Sequence, residues 1–179
     1  MVSIKDSESS FTFASMESTE PVQDPTPPGY FRLDELEALQ SCENQVLTDV
    51  NYYLWLNKTG PGELPLRFLY CLELVFESRE PLLLSSGEDS EAICLPPPAD
   101  LVKTARQLQT LHGQLSIQRV NAGAFPLWEP VAGRALEAIR LSKDETGLYL
   151  NDALLLDFGV RQIAVQLGPK EGLEVGLYA

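Results

Sequence analysis

The chain has 179 residues, is 44% hydrophobic and 8% aromatic, and carries a formal net charge of -13, which fits a globular protein with a real core. That charge argues against a nucleic-acid binder working by phosphate neutralisation, which needs a patch of Lys and Arg; a basic protein is the natural guess for a partner, the alternative being that the charge only keeps the chain dispersed. No run of about 18 apolar residues is present, so no membrane-spanning helix is expected.

Residues 1–29 read as a disordered acidic arm. Ser and Thr dominate its first part and Pro21, Pro25, Pro27 and Pro28 its second, while Lys5 stands against Asp6, Glu8, Glu17, Glu20 and Asp24. Such a segment buries too little apolar surface to offset the entropy of ordering it, with Phe11 and Phe13 as its only aromatics. The start has neither a basic n-region nor a continuous apolar h-region, so cytoplasmic localisation is expected. Cys42, Cys71 and Cys94 are widely spaced and odd in number, a pattern that gives no disulfide framework and no metal or redox pair.

A single α+β domain, mainly antiparallel, is expected over residues 30–179. A short helix begins near Asp34, with Asp34 as its cap, Glu37 at the capping-box position, and Leu33, Leu36 and Leu39 on one side. Residues 46–57 then alternate as a strand, placing Val50, Tyr52, Leu54 and Leu56 on one face and Asn51, Tyr53, Trp55 and Asn57 on the other. Aromatic rings flanked by amides give contact area at low rotamer entropy. Asn51, Tyr53, Trp55 and Asn57 are therefore candidate binding residues, with a covered core face as the alternative.

The chain is organised around Leu66–Ser85. Leu66, Phe68, Tyr70, Leu72, Leu74 and Phe76 fall on one face of a strand and Arg67, Leu69, Cys71, Glu73, Val75 and Glu77 on the other. The second face is half apolar, as in a central strand covered on both sides. Ser78–Pro81 turns the chain and Leu82–Leu84 returns it. Gly87–Glu91 is acidic but lacks the spacing of a calcium loop, so no metal and no cofactor is expected.

Pro96–Pro98 introduces the best helix, residues 99–112, with Leu101, Ala105, Leu108 and Leu111 at core-facing spacing. His112, the one histidine, sits where a helix C-terminus favours a cation and has no sequence-adjacent catalytic partner. A weak strand follows from Gln114 to Val120. Trp128, in a proline-bounded connector, either plugs a seam or walls a pocket, and it joins the candidate binding residues. Leu136–Leu141, Leu148–Leu150, Ala153–Phe158, Gln162–Leu167 and Leu173–Tyr178 read as short strands of an antiparallel meander.

Leu74–Glu80 and Leu156–Gln162 share the same strand-turn pattern, each followed by an apolar run. The expectation is two related β-meander halves, about residues 46–95 and 133–179, linked by the helix at 99–112. The acidity and the lack of any catalytic constellation favour a non-enzymatic protein-interaction module, such as an inhibitor or immunity-type partner of a basic protein. The alternative is a small-molecule-binding protein or a hydrolase in which Glu73, Glu77 or Asp157 works with Arg67, Arg79 or Arg161.

Overall fold

The computed structural model describes residues 26–58, 60–62, 64, 66–111 and 115–179. Residues 1–25 of the expected arm, His112 and the side chain of Leu111 lie outside the described residues. The architecture is α+β with a mainly antiparallel sheet. No helix among the described residues is long and apolar enough to cross a membrane.

Helix α1 spans Leu33–Gln40 and is capped two residues earlier than the sequence suggests. Arg32 is extended at φ -76 and ψ 163, and its N–H is taken by Glu35 at 2.9 Å. Glu35 therefore closes the first turn in place of Glu37. The buried stripe shifts accordingly: Leu39 is buried, whereas Leu33 is 66% exposed.

Strand β1 (Leu47–Asn57) pairs with β2 (Leu66–Phe76) along its whole length. Beyond residue 50, the other edge of β1 takes β4 (Leu115–Asn121). The far edge of β2 takes β3 (Leu82–Ser85) over residues 71–74. Strands β5 (Ala138–Arg140), β6 (Ala153–Asp157), β7 (Gln162–Leu167) and β8 (Leu173–Leu177) pair in succession. Every pair is antiparallel, and the order is β4-β1-β2-β8-β7-β6-β5 with β3 on β2.

Two thin joints turn this order into an irregular closed barrel. β2 and β8 meet through Leu69 and Leu173. The segment leading into β5 bridges back to the start of β1 through Val46 and Ala135. There Leu47 N–H donates to the Arg134 carbonyl and Leu136 N–H to that of Gln45, both at 2.9 Å.

The main core fills the barrel with Leu47, Val50, Leu72, Leu74 and Phe76 from one side and Leu154, Leu156, Ile163, Val165 and Leu173 from the other. A second, smaller core lies outside it, where helix α2 (Pro98–Leu111) sets Leu101 against Tyr70, Cys71 and Leu83. Both faces of β2 are thus covered.

Strict alternation along β2 does not hold. Tyr53 pairs with Cys71 and Leu54 with Leu69, so Tyr70 is the extra residue of a β-bulge, which reverses the facing of everything before it. Leu72, Leu74 and Phe76 enter the barrel together with Leu69, while Phe68 and Tyr70 join the outer cluster. The strand expected at Leu148–Leu150 does not form. The Asp144 carboxylate takes the N–H groups of Thr146 and Leu148 and closes a turn, leaving Tyr149 and Leu150 only single bridges to Lys143 and Tyr30.

Candidate functional site

Beyond its first turn, α2 stands off the outer face of the sheet. Leu101 is buried, but Ala105 and Leu108 are only half-buried and Val102 is 52% exposed. The gap is a groove of about 430 Å³. Leu83, Leu101, Val102, Ala105 and Ile117 form its apolar part, and its polar groups are Tyr53, Glu73, Arg106 and Arg119 together with Gln109 and Ser116.

Alternation along β1 and β4 explains how these groups converge. Tyr53 pairs with Arg119 and Trp55 with Ile117, so all four share the outer face. On β2, Cys71 and Glu73 lie beyond the bulge and point the same way, opposite Tyr53 and Asn51. The outer face is therefore graded, with an aromatic end and a polar end.

At the polar end, Glu73 Oε2 accepts the Asn51 amide at 2.7 Å and the Tyr53 hydroxyl at 3.3 Å. Arg119 lies 3.7 Å from the same oxygen. Asn121 extends the chain of contacts, donating to the Asn51 amide oxygen at 3.3 Å and to Asp49 at 2.7 Å. Asn51 is only 1% exposed, so this network supplies the partners that a buried amide requires. Burial pushes the Tyr53 hydroxyl above its ordinary range and the Glu73 charge adds to this, with Arg119 acting against both.

At the aromatic end, Trp55 stacks on Phe68 with centroids 5.5 Å apart and leans on Tyr70 at 5.2 Å. Asn57 lies past this stack, paired with Leu66 and Leu115. The structure thus gathers Asn51, Tyr53, Trp55 and Asn57 on one face, but only Tyr53 lines the groove.

Trp128 is elsewhere. It is fully buried in the barrel core and donates its indole N–H to the hydroxyl of Tyr52, on the opposite face of β1, at 2.7 Å.

Among the described residues, the ion pairs involve Arg32, Arg119 and Arg140 rather than Arg67, Arg79 or Arg161. Asp157 takes Arg140 at 2.9 Å and Gln162 at 3.0 Å. With the Gly159 N–H as the main cause, these contacts hold its carboxyl below the usual range. Arg161 donates to the carbonyls of Pro126 and Leu127 and Arg79 to that of Ala38; Glu77 is exposed. Burial raises all three thiols, Cys42 to about 11, so none is a primed nucleophile. No metal-binding group of three or more His, Cys, Asp or Glu side chains occurs among the described residues.

Sequence reasoning missed Arg106 and Arg119 and placed Glu73 only among the alternatives. Alternation from Cys71 to Glu73 was a usable signal for the carboxylate. The register that sets Arg119 opposite Tyr53 had none, because β4 alternates weakly. No family model matches this sequence, and neither the curated proteins nor the solved structures give a match.

Proposed function

We propose that the chain is a non-enzymatic interaction module whose recognition surface is the groove between α2 and the outer face of β1, β2 and β4. The observation that carries this reading is the state of the groove's polar groups. Glu73 is already engaged by Asn51, Tyr53 and Arg119, as in a preformed binding surface rather than around a free base awaiting a substrate proton. The rest of the lining is largely apolar, as binding sites tend to be.

Capture from native lysate tests the proposal, with the intact chain beside Ala105→Trp, which fills the groove from its helix wall. A stoichiometric partner retained by the intact chain and lost from a folded Ala105→Trp chain is the expected result. Equal capture by both would move the contact away from α2.

The second reading is a small-molecule-binding protein. It draws on the groove volume of about 430 Å³, inside the span of roughly 300–1,000 Å³ typical of ligand sites. A thermal-shift screen against small molecules separates the two. The proposal that the β1–β3 and β5–β8 runs are related meander units rests on the pattern shared by Leu74–Glu80 and Leu156–Gln162.

A further inference from the structure

The net charge of -13 points to a basic partner, but the groove has the opposite local sign. Its ionised lining side chains are Arg106 and Arg119 against Glu73. Glu73 is 13% exposed and engaged on several sides, whereas Arg119 is 61% exposed, lies 3.7 Å from Glu73 and also reaches the Tyr53 hydroxyl. The guanidinium of Arg106 makes no ion pair among the described residues. Two forks of N–H donors thus line the groove, with Arg119 engaging Glu73 and Tyr53 and Arg106 in no ion pair among the described residues. Such forks match a carboxylate in geometry and charge.

The apolar wall supplies the rest of the match. Leu83, Leu101, Val102 and Ile117 lie beside the two arginines, and a half-exposed Val102 on a helix of a water-facing layer gains by being covered. The lining runs along α2 from Pro98 to Gln109, about 16 Å at a rise of about 1.5 Å per residue. About five residues of extended chain span that length at roughly 3.3 Å each.

The acidity of the remaining surface does not forbid an anionic guest. Charges beyond about 8 Å are largely screened at physiological salt, while the guanidinium contacts act at hydrogen-bond range.

We infer that the groove under α2 takes an extended, anionic peptide segment of a partner protein, with a carboxylate on Arg106 and Arg119 beside an apolar side chain against Leu101 and Ile117. This assignment rests on the groove being the recognition surface.

The test is a displayed library of random decapeptides, selected against the immobilised full chain. The expected outcome is enrichment of Asp or Glu next to Leu, Ile, Val or Phe. Selected peptides should bind the Arg106→Glu, Arg119→Glu double variant at least tenfold more weakly, and Ala105→Trp should abolish binding. Val102→Trp, at an exposed position, is a second blocking variant, and circular dichroism confirms that each variant is folded.

Selection of Lys- or Arg-flanked peptides that both blocking variants exclude would overturn the anionic assignment and leave the groove as the binding surface. Acidic peptides indifferent to the double charge reversal would overturn it as well. No enrichment, or peptides that ignore both blocking variants, would overturn the groove reading together with it.

Discussion

Trp128 and Tyr52 show what a single hydrogen bond does inside this barrel. The indole N–H is wholly buried and its partner is the Tyr52 hydroxyl at 2.7 Å. Tyr52→Phe keeps the ring but leaves that donor unpaired, and an unmet buried donor costs about 1–3 kcal/mol. A fall of that size is expected in urea denaturation, with the secondary structure unchanged at zero urea. Asp144 gives a pH signature. Its carboxylate takes the Thr146 and Tyr30 hydroxyls and the N–H groups of Thr146 and Leu148, and these contacts lower its pKa from 3.8 to about 2. A folded-state value below the unfolded one gives stability that is present above the unfolded pKa and lost as pH falls through the folded pKa. Between about pH 4 and pH 2 the urea midpoint of the wild type should therefore fall more steeply than that of Asp144→Asn. Parallel midpoint curves for the two proteins would contradict this account. Trp128 was legible as a residue that must be covered, and its covering group was not, because Tyr52 lies 76 positions away in sequence.

At the scale of elements, the extents of β1, β2, β3 and α2 are written plainly in the sequence, and their boundaries fall within one or two residues of the expected ones. What is not written is the bulge. Tyr70 has the character of a regular strand residue, and only the pairing of Tyr53 with Cys71 and of Leu54 with Leu69 reveals it as the inserted one. The candidate site inherits this limit: the face with Tyr53 and Trp55 could be read from β1 alone, but its aromatic end needs Phe68, which strict alternation sends into the barrel. The joint between β2 and β8 depends on a further local feature. Gly172 has φ +76, and a Cβ there would lie 2.5 Å from the Leu69 carbonyl and 2.7 Å from the Phe68 ring. Gly172→Ala combines backbone strain with a clash against main chain, for which a loss of about 2–4 kcal/mol is expected. Because Phe68 stacks on Trp55, the variant should also change tryptophan emission in the folded state. An unchanged spectrum with wild-type stability would mean that the joint yields without cost.

For the whole molecule, the two sets of strands invite the expectation that each melts by itself. Their backbones meet through Leu69 and Leu173 on one side and through the Val46–Ala135 bridge on the other. Among the described residues, four backbone hydrogen bonds surround that bridge and Ile93 N–H donates to the Asn151 carbonyl, few beside the ladders within each set. The shared core argues the other way: Leu47, Val50, Leu72, Leu74 and Phe76 pack in one cluster with Leu154, Leu156, Ile163, Val165 and Leu173. If one set detached, the other would expose five large apolar side chains, each worth about 1.5–3 kcal/mol of burial. The sum, on the order of 10 kcal/mol, equals the whole stability of an ordinary domain. Neither set should then persist without the other, and the chain should unfold in one step. Far-ultraviolet circular dichroism reports the strands, and tryptophan emission reports both Trp128 in the barrel and Trp55 outside it. The two urea curves should superimpose, since loss of the barrel removes the sheet on which α2 and Trp55 rest. An early fluorescence transition with the dichroism intact would instead show the α2 layer opening as a separate unit, which would make the groove a surface formed by a mobile wall rather than a fixed one.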